Sequence, residues 1–145
     1  MTGYIPVSKK TDWRTPAFIF DQLNEEFDFT IDAAASVENT LCERFWSIED
    51  DALKQSWTGE RVFCNPPYGP EQTGFIRKAA QLEADVSVLL LPARVDTRYW
   101  HDHVFGIAEI RFVRGRIKFA GAKSNAPFPS AVVIYRRPEQ CCAGQ

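Results

Sequence analysis

Asn65, Pro66, Pro67 and Tyr68 form a short run whose residue types suit one kind of chemistry. The side-chain amide oxygen of Asn65 and the backbone carbonyl of Pro66 are both acceptors. An NH2 group on a purine or pyrimidine ring has two hydrogens to give them. Such an amine is a poor nucleophile, because its lone pair is delocalised into the ring. Accepting both hydrogens localises the pair and aims it at an electrophile. Two prolines restrict the backbone and hold the acceptors still, which lowers a barrier by preorganisation. Tyr68 adds a flat face on which an extruded base can stack, worth about 1–3 kcal/mol per base. The same four residues would also serve as a rigid turn with an exposed tyrosine. The preceding strand, Gly69 and the following helix favour the site.

The surrounding pattern explains how such a loop is positioned. Short apolar strands alternate with helical stretches, which predicts an α/β layer structure with a mostly parallel sheet. Thr15 followed by Pro16 reads as a helix N-cap with proline at the first helical position, and Phe18, Phe20, Leu23 and Phe27 supply that helix's apolar stripe. Phe29-Thr30-Ile31 reads as a strand ending in Asp32, and Ser36 as the cap of a short helix carrying Leu41, Cys42 and Phe45. Arg61-Val62-Phe63-Cys64 is a strand that runs into the Asn65 loop, where the prolines must end it. Phe75, Ile76, Ala79, Ala80 and Glu83 trace the next helix. The run 86–91 is apolar on both faces, as a central strand covered by helices must be. Asp96 reads as the cap of a helix through Trp100 and Val104. Three strands, 110–113, 117–119 and 131–135, follow without helices between them, which predicts antiparallel strands at the C-terminal edge of the sheet. In a sheet of this kind ligands bind at the carboxyl ends of the strands, where Asn65 lies.

The 145 residues suffice for one compact domain, 1–145, but leave no room for a separate target-recognition domain. The ends, 1–11 and 138–145, read as flexible. No apolar run is long enough to span a membrane, and the first ten residues lack the apolar core of a secretory signal. Cys42, Cys64, Cys141 and Cys142 show neither a metal spacing nor a disulfide framework, so no metal is expected and a reducing cytoplasm is the default location. The net charge of −2 conceals a division: residues 1–75 carry six Lys/Arg against thirteen Asp/Glu, and residues 76–145 carry eleven against six. A basic half suits a phosphate backbone and an acidic half a cationic small molecule, although solvated helix faces give similar splits.

The chain resembles the amino-methyltransferases, whose signature is a [DNS]-P-P-[YFW] loop, and within them the short, phage-type DNA N6-adenine methyltransferases (Dam-like). The likeness runs from Asp12 to about Arg136. It rests on Asp12-Trp13-Arg14-Thr15-Pro16, Phe29-Thr30-Ile31-Asp32-Ala33-Ala34-Ala35-Ser36, Asp51-Ala52-Leu53 with Trp57, and Phe63-Cys64-Asn65-Pro66-Pro67-Tyr68. Leu91-Pro92-Ala93-Arg94, Gly115-Arg116-Ile117-Lys118-Phe119 and Ala126-Pro127-Phe128-Pro129-Ser130 complete it.

The resemblance implies a Rossmann-like fold, S-adenosylmethionine as cofactor and DNA as partner in a phage or prophage setting. Catalysis would then fall to Asn65, Pro66, Pro67 and Tyr68. Cofactor contacts would fall to Trp13, Thr15, Asp32, Ala33, Ala34, Asp51 and Asn65. Thr15, Asp32 and Asp51 also read as caps or surface acids. One departure is plain: the turn after the first strand, Asp32-Ala33-Ala34-Ala35-Ser36, has no glycine where most methyltransferases have several. DNA contacts would come from the loops that hold Arg94, Arg98, Arg114, Arg116 and Lys118, although any one of them taken singly reads more readily as a solvated surface charge. A paired adenine would have to be flipped out to react. No strong base is needed, and His101 and His103 read as surface residues. The same loop chemistry would serve cytosine N4, an RNA guanine or a protein amide, and a non-catalytic binding relative is a further reading. Monomer and homodimer are both compatible with the sequence.

Overall fold

A computed structural model of the chain describes residues 13–138. The expected flexible ends (Pro138 apart), with Cys141 and Cys142, lie outside the described residues. Helix α1 (Ala17–Phe27) leads to strand β1 (Ile31–Asp32), a 3-10 turn at Ala52–Lys54 and strand β2 (Arg61–Cys64). Helix α2 (Gln72–Ala80), strand β3 (Val86–Pro92) and helix α3 (Arg98–His103) follow, and strands β4 (Glu109–Phe112) and β5 (Ser130–Arg136) end the fold. The sheet order is β1-β2-β3-β5-β4. Pairing is parallel from β1 to β2 and from β2 to β3, then antiparallel from β3 to β5 and from β5 to β4.

Alternation along the strands divides the core in two. Val62, Cys64, Leu89, Leu91, Ala131, Val133 and Tyr135 face a cluster completed by Ile76 and Ala79 of α2 and by Trp100 of α3. Phe63, Val86, Val88, Leu90, Val132 and Ile134 face the other cluster, which is closed by Phe20, Leu23 and Phe27 of α1 and by Ile117, Phe119 and Phe128. All seven residues of β3 are buried, as a central strand covered on both faces requires. Each fully covered Leu or Val there contributes about 1.5–3 kcal/mol of transfer free energy. Together these layers make the Rossmann-like α/β arrangement that the resemblance implied.

Four local expectations need correction. Thr15 does not cap α1: Pro16 occupies the cap position, with no side-chain hydrogen bond. No helix follows Ser36. Its amide donates to Asn39 Oδ1 at 2.8 Å, a single turn at 37–39 and bends at 41–44 follow, and Phe45 then bridges Asp32 in parallel. Thr97, not Asp96, stands at the N-cap of α3, and its side chain does not cap the helix but donates to the Arg94 carbonyl at 2.7 Å. The 117–119 stretch is not a strand: Ile117 and Phe119 are buried, but their backbone joins no ladder of the sheet.

Candidate nucleotide-amine site at the strand ends

Strand β2 delivers Asn65 to the carboxyl edge of the sheet, and Gly69 ends the loop with φ +132, a conformation that side chains disfavour. The Asn65 amide is held from the start of the chain. Its Nδ2 donates to the Trp13 carbonyl and to Thr15 Oγ1, the latter at 3.0 Å. Its Oδ1 is covered and has no hydrogen-bond partner among the described residues. An acceptor left in that state costs about 1–3 kcal/mol, a strain that folded proteins tolerate chiefly where it has a use.

Tyr68 differs from its expectation. The ring is 9 % exposed and lies edge-on to Phe128 at 5.7 Å, and its hydroxyl donates to the Leu90 carbonyl at 3.1 Å. Burial pushes the phenol well above its ordinary pKa. The side chain is thus an anchor to the central strand and not an open stacking face in this conformation.

Beside Asn65 opens a cleft of about 1130 Å³. Trp13, Thr15, Asp32, Ala33, Ala34, Asp51, Asn65 and Pro67 all line it, so every residue expected to hold the cofactor is brought to one place. Asp32 is 4 % exposed, and burial raises its carboxyl to about 6 despite hydrogen bonds from the amides of Leu41 and Ala34. Asp51 sits further out with φ +56, accepting the Leu53 amide at 3.2 Å. Sequence reasoning missed most of the far wall. There the turn after Phe45 brings Trp46, Ile48 and Asp50, and Phe75 of α2 faces them. Ile48 is 92 % exposed, an isoleucine in an acidic turn, and that mismatch was the available signal. Gly74 lets α2 approach this wall, since a Cβ there would meet Leu53 Cδ1 at 2.9 Å.

The lining suits a cation with an aromatic base attached. Asp32, Glu38, Glu49, Asp50, Asp51 and Glu71 are acidic, against Arg14 as the one basic residue. The glycine-free turn is also explained, because none of its alanines takes a positive φ. Its amides are already spent: Ala33 on Phe63 O, Ala34 on Asp32 Oδ1, Ala35 on Trp46 O and Ser36 on Asn39 Oδ1. No amide of this turn is left to cradle a phosphate. S-adenosylmethionine, which is cationic at sulfur and carries no phosphate, fits these residues.

Charge is distributed unevenly about the sheet. Where β2 begins and β5 ends, Arg61 pairs with Asp28 at 3.3 Å, Arg44 with Glu60 at 2.9 Å and Arg136 with Glu109 at 2.7 Å. Arg94 and Arg98 follow the carboxyl end of β3, and Arg114, Arg116 and Lys118 follow that of β4. These five are exposed, and none is in an ion pair among the described residues. Register ties the two groups together, since Val113 donates to the carbonyl of Ser130, which pairs with Pro92. These cations therefore lie on the edge that also carries Asn65. His101 is exposed and His103 half-buried, both in α3. No helix among the described residues is long and apolar enough to cross a membrane, and no described cluster of His, Cys, Asp and Glu could hold a metal.

Known proteins share much of this sequence. The chain is 35% identical over 105 residues to the DNA N-6-adenine-methyltransferase of Escherichia phage T1, a match covering 70% of this chain and 44% of that protein. It is 38% identical over 64 residues to the putative methyltransferase YfdM of Escherichia coli K12, covering 39% of this chain and 69% of that one. The match thus spans less than half the length of the phage protein. The family model described as DNA N-6-adenine-methyltransferase (Dam) matches residues 3–139, and the chain belongs to that family.

Proposed function

We propose that this chain methylates the exocyclic N6 amine of adenine in DNA, with S-adenosylmethionine as donor and the Asn65 loop as the catalytic element. The observation that carries the reading is the covered Oδ1 of Asn65, without a partner among the described residues, at the edge of an acidic cleft. An acceptor kept free at such a cost suits a hydrogen donor that arrives only with substrate.

In this mechanism the adenine leaves the duplex, because its amine is otherwise paired and out of reach. It gives one N6 hydrogen to Asn65 Oδ1 and the other to the Pro66 carbonyl, while Pro67 keeps the loop rigid. Phe128 now packs against Tyr68, so a base stacking on that tyrosine moves Phe128 aside. When bound, S-adenosylmethionine supplies an activated methyl group. Asp32 and Asp51 hold the cationic cofactor from the acidic side, with Trp13, Ala33 and Ala34 completing its contacts. The N6 proton becomes acidic only once the nitrogen is alkylated, so no side chain has to remove it beforehand. Arg94, Arg98, Arg114, Arg116 and Lys118 contact the DNA backbone and keep the amine at the strand ends.

The test is methyl transfer by the wild type and by Asn65→Ala, with cofactor affinity measured in parallel. Transfer should be lost with affinity retained. Wild-type rates in the variant would refute the role given to Asn65.

A further inference from the structure

We propose that Thr15 is a positioning residue, which together with the Trp13 carbonyl holds the Asn65 carboxamide with its oxygen toward the substrate. The inference rests on the role given to Asn65 above, and it moves Thr15 from cofactor contact to catalytic support. The two ends of a carboxamide are alike in size, so rotation by half a turn would replace the acceptor with a donor and reverse the chemistry. The Trp13 carbonyl forbids that rotation, and Thr15 holds the orientation it sets. The Trp13 carbonyl can only accept, so it must face Nδ2. Thr15 Oγ1, at 3.0 Å, takes the second Nδ2 hydrogen. Both donors are thereby consumed, and Oδ1 alone is left without a partner. In the rotated form Oδ1 would meet the lone pairs of the Trp13 carbonyl, and Nδ2 would be stranded where Oδ1 is now.

The clamp is itself tied down from the other end of the chain. The Trp13 ring packs on Phe119 at 5.3 Å and on Phe128 at 5.2 Å. The Arg14 carbonyl accepts the Ala120 amide at 2.9 Å. Thr15 is 9 % exposed, so water does not readily replace its hydroxyl. The clamp also selects the residue type at position 65. An aspartate would face the Trp13 carbonyl with a charged acceptor and no hydrogen to give it. The wider loop pattern admits aspartate here, but this chain requires asparagine.

The experiment compares the whole chain with Thr15→Val, which keeps the shape and loses the hydroxyl, and with Thr15→Ser, which keeps the hydroxyl. Thr15→Val should lower kcat about 10- to 100-fold with S-adenosylmethionine affinity close to wild type, and Thr15→Ser should recover most of the rate. In nuclear magnetic resonance spectra the Asn65 side-chain amide, identified by its loss in Asn65→Ala, should exchange with water about tenfold faster in Thr15→Val. A Thr15→Val protein with wild-type kcat and a protected Asn65 amide would overturn the proposal. So would one with weakened cofactor affinity at unchanged kcat, since Thr15 would then serve the cofactor. If the wild type methylates no DNA, the reading of Asn65 as catalyst fails, while amide exchange still decides whether Thr15 holds Asn65.

Discussion

Tyr68 reaches across to the central strand and donates its hydroxyl hydrogen to the carbonyl of Leu90 at 3.1 Å. The side chain that the loop pattern offers to a base thus also ties the loop to the most buried strand of the sheet. Burial keeps the phenol protonated far above neutral pH. The hydroxyl therefore has an anchoring role, separable from any role of the ring. Tyr68→Phe should lower stability by about 0.5–1.5 kcal/mol and leave turnover near wild type. Tyr68→Ala should lower both. Urea denaturation and a methylation assay on the same preparations check this, and a Tyr68→Phe protein without turnover would assign the hydroxyl to the chemistry.

Asn65→Ala removes a buried acceptor that has no partner among the described residues. Loss of one preorganised hydrogen-bonding group of this kind costs about 100-fold or more in rate. Asn65→Asp should do as badly at neutral pH, because a carboxylate cannot give a hydrogen to the Trp13 carbonyl. Rapid-quench methylation assays measure both, with cofactor binding followed by calorimetry.

Asp32 sets a pH dependence whose sign can be worked out. Burial raises its carboxyl from 3.8 to about 6, so the folded, ligand-free protein holds this proton more tightly than the unfolded chain. The ionised form destabilises the fold at neutral pH, and that penalty fades as pH falls through about 6 toward 4. A cationic ligand prefers the ionised form. Affinity for S-adenosylmethionine should therefore rise as pH climbs through about 6 and level off above it, with a proton released on binding near the midpoint. Calorimetry in buffers of different ionisation enthalpy reads that proton. Asp32→Asn should bind more weakly and without the pH step.

The legible part of this fold is the part with strong periodicity. The strand pattern marks Arg61–Cys64 at its observed bounds, and its 86–91 run stops one residue short of Pro92. The failures share a physical cause, which is that a distant partner satisfies the backbone. Ile117 and Phe119 alternate as a strand would, but Gly115 and Gly121 bend the chain with φ +74 and +80, and Ala120 bonds to Arg14. The segment after Ser36 has the apolar spacing of a helix. Asn39 and Thr40 bond back to the Ser36 carbonyl for one turn, but there the helix stops: Leu41 donates to Asp32 Oδ2, and Asp32 exchanges backbone bonds with Arg44 and Trp46. At the site, residue types single out Asn65 and Asp32 from the loop and the strand end. Nothing local could reveal that Thr15 answers to Asn65, since fifty residues separate them.

The five cations outside ion pairs differ in a testable way from those bound to carboxylates. Neutralising Arg94, Arg98, Arg114, Arg116 or Lys118 should weaken DNA binding about equally for all sequences and reduce the salt slope by about 1 for each charge removed. Neutralising Arg44, Arg61 or Arg136, which are held by Glu60, Asp28 and Glu109, should leave the slope unchanged. Fluorescence anisotropy over a range of salt concentrations gives both.

The most direct measurement is nucleoside mass spectrometry of unmethylated DNA incubated with the protein and isotopically labelled S-adenosylmethionine, with Asn65→Ala in parallel. Labelled N6-methyladenine should form with the wild type and not with the variant. Label in N4-methylcytosine, equal label with the variant, or none with the wild type would contradict adenine methylation through Asn65.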